Sequence, residues 1–428
     1  MSSDILDTFN KIMFFTGAGF SKTAGCKVSG EMLKELEKLS NETDSYFTSI
    51  EKKTIKFILS CLEYHARWRS LETNGKYYYT PNIEEFALLL RRIKNRENLL
   101  PYPITGNWSD KIVQLEREFI NENQNSELDF YDSIETKIKT KCYPDWLEIK
   151  NSEQTSYLDP IANFFRDNPN NYTKLDWFTL NNDLVLENYF HAENALYNGF
   201  ISEKWVGFNP KDKEQENTLN VSRINYYKLH GSIDWVRRTD GIIYNNFNIN
   251  DGMINKDDID SKTNPFLIFG HGTKLFTVDP FFSLLHLFHY KVSEKKYFFI
   301  IGYSFFDPHI NNIIFNELMS NPEQNKKMVI INPNLIEGVR YDDKYSFKIL
   351  QNTSNIELVN FFQDIQKNTF YSDMPEFNIS KISPNSFIYI NATAEDFISK
   401  MFVKYNGKYG IINFIQDLEK ESTTNLFE

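Results

Sequence analysis

The chain has 428 residues, a formal net charge of −11 and three cysteines; that length allows roughly two to three domains and a core large enough to need no covalent staples. Cys26, Cys61 and Cys142 stand far apart with no Cys-x-x-Cys pair, which excludes a zinc ribbon, argues against a disulfide framework and fits a reducing, cytoplasmic setting. The acidic balance argues against direct nucleic-acid binding, and neither a signal-like N-terminus nor a stretch long enough to span a membrane occurs.

Ile12 to Thr16 is an apolar run of strand length, followed at once by Gly17-Ala18-Gly19-Phe20-Ser21. Strand, glycine turn and helix bring backbone N–H groups to a pyrophosphate, and glycines there keep a Cβ off the phosphate oxygens and permit unusual φ. The competing reading is an ordinary tight turn, since the third glycine of the dinucleotide fingerprint and the Gly-Lys-Ser/Thr of a triphosphate loop are both missing. A helix is expected from Ser21 or from Glu31, with Met32, Leu33, Leu36 and Leu39 at helical spacing. From residue 46 to 169 the pattern is mostly helical. Asn82 and Glu85 form a capping-box pair, with Ile83, Phe86, Ala87, Leu90 and Ile93 as one apolar stripe behind it. The basic run from Arg91 to Arg96 reads as a solvated helix end.

Four more apolar runs follow: Trp177 to Leu180, Tyr226 to Leu229, Phe298 to Ile301 and Met328 to Ile331. Their lack of alternation suits strands covered on both faces of a parallel sheet. Each ends in a polar or glycine cluster: Asn181-Asn182-Asp183, His230-Gly231-Ser232, Gly302-Tyr303-Ser304 and Asn332-Pro333-Asn334. Open parallel sheets bind ligands beyond the carboxyl ends of their strands, so this recurrence points to a nucleotide site. Beyond Val339 the pattern loosens. Ile356 to Val359 is an edge strand or a helix start, Phe387 to Ile390 a strand, and Ala394 to Tyr405 and Ile411 to Lys420 helices. The expected architecture is an α/β Rossmann-like parallel sheet from residues 1–45 and 170–338. A helical insertion (46–169) and a small C-terminal extension (339–428) that packs on the core or on a partner complete it.

The clusters Gly17-Ala18-Gly19-Phe20-Ser21, Thr179-x-Asn181-x-Asp183, Leu229-His230-Gly231-Ser232 and Gly302-Tyr303-Ser304-Phe305-Phe306-Asp307 resemble, in this order, the sirtuin superfamily. Val329 to Asn332 resembles the family's adenosine-end strand. The two cysteine pairs of the deacylases' zinc module do not occur between His230 and Gly302, and their Pro-Asp-Phe-Arg segment is replaced by Gly25-Cys26-Lys27-Val28-Ser29-Gly30. The pattern is more similar to the bacterial sirtuin-like domains of anti-phage defence. That resemblance implies NAD as substrate, cleavage of NAD to nicotinamide and ADP-ribose, no structural zinc, a homo-oligomer and a HerA-type ATPase partner. The alternatives are a deacylase or ADP-ribosyltransferase, and a non-catalytic NAD or ADP-ribose sensor.

For this chemistry Asn181 and His230 are the candidate catalytic residues. An amide can serve a ribose hydroxyl and a water together, and an imidazole supplies a base near neutral pH. The candidates for binding the dinucleotide are Gly17, Ala18, Gly19, Ser21, Asp183, Ser304 and Asn332, with a helix N-terminus adding positive potential at the pyrophosphate. The resemblance puts Ser21 and Ser304 at the dinucleotide and Asp183 at the nicotinamide carboxamide. Asp307 is a helix cap or a ligand contact, and Glu187 supports the fold. No metal ligand set is expected, His286 and His289 lacking a carboxylate partner motif.

Overall fold

The structure is a computed structural model that describes residues 2–72, 80–95, 107–122, 130–169, 174–190, 195–209, 218, 222–245, 265–270, 279–320, 326–333, 336–341, 344–349, 379–382, 387–390, 392–405 and 407–424. The run Ile356 to Val359 lies outside them. Among the described residues the main sheet has eight strands. In chain order they are β1 (Ile12–Thr16), β2 (Leu175–Thr179), β3 (Leu196–Tyr197), β4 (Ile224–Lys228), β5 (Tyr297–Ile301), β6 (Lys327–Ile331), β7 (Ile379–Ile382) and β8 (Phe387–Ile390). Across the sheet they lie β7-β8-β6-β5-β1-β2-β4-β3. Neighbours run parallel except β7, which pairs antiparallel with β8 at one edge.

Without the short edge strands β3 and β7, the order β4-β2-β1-β5-β6-β8 is that of a doubly wound dinucleotide fold. The winding reverses between β1 and β5. Register then decides where the loops emerge. Thr16 is level with Thr179 and with Ile301, Thr179 with Lys228, and Ile301 with Ile331. The peptides that follow these residues therefore leave the sheet side by side along one edge.

Alternation along each strand divides the core. Phe14, Trp177, Tyr226, Phe299 and Val329 face one side, where they share a core with the helices of residues 46–169 and with Phe397, Phe402, Ile411 and Phe414. Met13, Phe15, Phe178, Tyr227, Phe298 and Ile330 face the other, against Leu284, Phe288 and Val292 of the helix Phe281–Glu294 and Ile310 and Ile314 of the helix Pro308–Ser320. Both faces are covered, which is why the strands read as unbroken apolar runs. The stretch beyond residue 338 contributes β8 to the same sheet and two helices, Ala394–Met401 and Gly410–Thr424, to its first face.

A second, antiparallel sheet of Phe200–Ile201, Lys204–Trp205, Ile243–Asn245 and Trp235–Arg237 packs through aromatic contacts. Trp235 lies 5.3 Å from both Phe200 and Trp205, ring centre to ring centre. These strands are two or three residues long and carry no periodicity that a sequence could announce.

The capping box predicted at Asn82 forms. Its side chain accepts from Glu84 N and Glu85 N at 2.9 and 3.0 Å, while Glu85 Oε2 accepts from Asn82 N at 3.2 Å. The helix Ile83–Lys94 that follows buries the predicted stripe. Asn82→Ala is expected to lower stability by about 1 kcal/mol in urea unfolding, the usual worth of an N-cap.

Candidate active site

The loops after β1, β2, β5 and β6 open onto one cavity of about 380 Å³ at the carboxyl edge of the sheet, across the point where the winding reverses. Its size lies within the range of small-molecule sites. Gly17, Ala18, Gly19, Asn181, Asp183, Ser304 and Asn332 all line it. Ser21 and His230 do not; each stands directly behind a lining residue, Ser21 behind Asn181 and His230 behind Asp307.

The glycines have a different physical reason from the one expected. Gly17 is extended (φ −114°), so the turn needs no special backbone angle there. A Cβ on Gly17 would come 2.7 Å from Tyr303 Cα, and one on Gly19 would come 2.9 Å from Gly302 Cα. They are glycines because the β1 and β5 loops press backbone to backbone. Gly17 N–H donates to Ile301 O at 3.0 Å and Gly19 N–H to Gly302 O at 2.9 Å. Both amides are thus committed within the protein rather than presented to a phosphate. The expected helix dipole is also weak: the helix at the turn is the single turn Ala18–Ser21, and the long helix, Ser29–Asn41, begins only after a loop.

Asn181 is fixed on three sides. Its Nδ2 donates to Gly17 O at 2.9 Å and to Ser21 Oγ at 3.0 Å, and its N–H donates to Thr179 Oγ1 at 3.0 Å. Gly17 O can only accept, so the amide nitrogen faces the turn and Oδ1 is the atom left for a ligand, an acceptor only. Asn182 ties this loop to the next. Its Nδ2 donates to His230 O at 3.0 Å and Gly231 O at 3.1 Å, and its carbonyl accepts from Ile233 N at 3.1 Å. Asp183 Oδ1 accepts from Val185 N at 3.1 Å and so starts the helix Val185–Phe190.

Asp307 joins the two roles left open for it. Its Oδ1 accepts from His309 N at 3.0 Å and Ile310 N at 3.3 Å, capping the helix Pro308–Ser320. Its Oδ2 lies 3.3 Å from His230 Nε2, and it lines the cavity. A carboxylate held by backbone amides and facing one ring nitrogen is the arrangement that orients a histidine base. With Nε2–H given to Asp307, the neutral ring carries its lone pair on Nδ1. Seventy-seven positions separate the two residues in the chain, so no local pattern could have paired them.

Several lining residues were not anticipated. Lys22 and Lys27 bring cations, paired with Glu31 at 3.0 Å and Glu35 at 3.5 Å; their closeness to the glycine turn was the available signal. Ile83, Glu84, Tyr143 and Leu147 come from the helical stretch, and Thr393 and Ala394 from beyond β8. Nothing in the sequence marks them as neighbours of the turn. Cys26 also lines the cavity, but burial, reinforced by the charge of Asp183, pushes its thiol well above the ordinary range, which disfavours the thiolate.

Behind the Asn181–Asp183 loop lies a buried charge cluster. Lys228 Nζ donates to Asp183 O and, at 2.8 Å, to Glu187 Oε1. Burial, with Asp234 adding to it, pushes the Glu187 carboxyl up to about 7 against the pull of Lys228. A carboxyl whose folded pKa is raised gives stability that is present below about 4.3, its unfolded value, and lost as pH rises through about 7. Glu187→Gln should therefore lose less stability than the wild type between pH 5 and pH 8, measured by urea unfolding across roughly that window.

Among the described residues no group of three or more His, Cys, Asp and Glu is placed to hold a metal ion, and no helix is long and apolar enough to cross a membrane. His286 and His289 are exposed on the helix Phe281–Glu294. Compared with known protein families, residues 177–359 match the SIR2-like domain. No curated protein matches the chain. The matched span runs from within β2 through Asn181, Asp183, His230, Ser304, Asp307 and Asn332, so this part of the α/β chain is similar to sirtuin-like domains, a likeness that suggests NAD-related chemistry.

Proposed function

We propose that the protein hydrolyses NAD to nicotinamide and ADP-ribose. The observation that carries this reading is the oriented His230–Asp307 pair at the carboxyl edge of the sheet, tied to the Asn181–Asp183 loop by the bonds of Asn182 to His230 O and Gly231 O. The adenosine end fits beside Asn332 and Thr393. Ala18, Ser304 and the two lysines are the donors for the pyrophosphate, replacing the committed amides of Gly17 and Gly19. Asp183, Glu84 and Asp307 also line the cavity and bring negative charge to its wall, and the reading sets the nicotinamide and its ribose beside them.

Breaking the bond between ribose C1′ and the nicotinamide nitrogen sends the electron pair to the ring, which leaves neutral, and puts positive charge on the sugar. Carboxylates preorganised around that sugar favour the charge as it develops. Asn181 Oδ1 accepts from a ribose hydroxyl or from the attacking water. The water oxygen bonds to C1′ and its proton passes to the Asp307–His230 pair, of which Asp307 is the member that lines the cavity. ADP-ribose leaves, and the proton returns to solvent.

Unrestrained NAD loss would be toxic, so the activity is gated. The reading includes a cytoplasmic homo-oligomer acting in anti-phage defence with a HerA-type ATPase as partner, which the sirtuin-like motifs without a cysteine module support. The test is nicotinamide and ADP-ribose release from NAD by the purified chain, with and without such an ATPase, across its oligomeric states. Equimolar products are expected. Tight NAD binding without product in every state would favour a sensor, and release only with an acyl-lysine or protein acceptor would favour a deacylase or transferase.

A further inference from the structure

The buried cluster behind the loop has no part in the chemistry proposed above, yet it sets three charged side chains in the interior beside the site. The Lys228 side chain is 0 % exposed and that of Glu187 5 %. Asp234 is buried as well. Glu187 Oε2 and Asp234 Oδ1 have no hydrogen-bond partner among the described residues. Taking an ammonium and two carboxylates out of water is unfavourable, and an ion pair of this kind is poor evidence of stability for its own sake. Packed apolar side chains would fill the same space under the helix Val185–Phe190 at less cost. The cluster therefore calls for another explanation.

Its geometry supplies one. Lys228 is the last residue of β4, and its chain passes under the loop that joins β2 to the helix Val185–Phe190. There the ammonium holds two points one helical turn apart, the carbonyl of Asp183 and the carboxylate of Glu187. Asp183 is then fixed by its main chain from below and by its own carboxylate at Val185 N. Asp183 lines the cavity from this double anchorage.

We propose that Lys228, clamped by Glu187, is a positioning residue that sets the Asn181–Asp183 loop against the cavity. This rests on the NAD-cleaving reading for its effect on turnover, but not for its effect on the loop. Lys228 touches no substrate; it acts through Asp183.

The experiment compares the full-length wild type with Lys228→Met and with the double variant Lys228→Met/Glu187→Gln. The single variant leaves a carboxylate buried without its cation and is expected to unfold easily. The double variant removes the charges of Lys228 and Glu187 and leaves Asp234, whose carboxyl burial already pushes toward the neutral form; it restores cooperative thermal unfolding and still lacks the donor to Asp183 O. Hydrogen exchange followed by mass spectrometry should show the amides of Asn181 and Val185 exchanging about tenfold faster in the double variant, with β1 and β5 unchanged. Its kcat for nicotinamide release should fall about 10- to 100-fold, with KM nearly unchanged, because the defect is one of alignment. Wild-type exchange in this loop, or faster exchange with wild-type kcat, overturns the proposal. If the wild type releases no nicotinamide in any oligomeric state, with or without the ATPase, while the loop still loosens in the double variant, the clamp stands and the NAD-cleaving reading falls.

Discussion

His230→Ala is expected to lower nicotinamide release from NAD by about 10²–10⁴-fold, the usual contribution of a positioned general base. The ring sits almost fully buried beside Asp307, and the loop that carries it is fixed through Asn182. The loss should appear in kcat, since an imidazole behind the cavity wall contributes little to holding the dinucleotide. Asp307→Asn keeps an oxygen for the cap of the helix Pro308–Ser320 but removes the charge facing the ring, and it should lower kcat in the same direction. Asn181→Ala combines two losses, the acceptor toward the sugar and the ties to Gly17 and Ser21. Affinity for ADP-ribose, measured by calorimetry, separates failed chemistry from a collapsed site. A His230→Ala protein that keeps most of its turnover would remove the imidazole from the mechanism.

The second large effect is on stability. Gly302 has φ +63°, and a Cβ there would lie 2.4 Å from Phe20 N and 2.5 Å from Gly19 C. Both obstacles are backbone of the β1 loop, which is itself held by its bonds to Ile301 O and Gly302 O. Neither can swing aside as a side chain would. Gly302→Ala is expected to cost about 3–5 kcal/mol, among the largest effects of a single substitution, through clash and an unfavourable backbone angle together. Gly30 supplies the control. It lies in the helix Ser29–Asn41 with nothing within 4 Å of a Cβ, and Gly30→Ala should be neutral or stabilising by up to about 1 kcal/mol. Urea unfolding of the two variants beside the wild type reads both; equal stabilities would show that the loops are not in close contact.

The parallel sheet was legible because its strands are short apolar runs that end in glycine or polar residues, and that signal is local. The runs for β1 and β8 have the observed limits and those for β2, β4, β5 and β6 lie within two residues of them, while the edge strands β3 and β7 have no such run. The two- and three-residue strands around Trp205 and Trp235 were not legible, since pairing rather than pattern makes them strands. β8 was readable as a strand but not as a neighbour of β6, because sheet order is a property of the whole chain. The same division runs through the site. Asn181, Asp183, Ser304 and Asn332 could be placed together because each follows a strand and the register is common. The proximity of His230 to Asp307, and of Glu84 and Tyr143 to the glycine turn, depends on how distant helices dock. The purpose of Gly17 and Gly19 was misread for a related reason. A sequence shows that a Cβ is missing, but not whether a ligand or another loop takes its place.

That close meeting of the β1 and β5 loops has a consequence for control. A floor stitched main chain to main chain has almost no slack, so a trigger cannot work by assembling or dismantling it short of unfolding. The rest of the lining is built differently: Ile83, Glu84, Tyr143 and Leu147, and Thr393 and Ala394, arrive from remote parts of the chain. Moving them would reshape the cavity while the stitched loops keep their alignment. Switching of this kind would show itself as a change in how fast substrate is admitted, with the intrinsic speed of bond cleavage left alone.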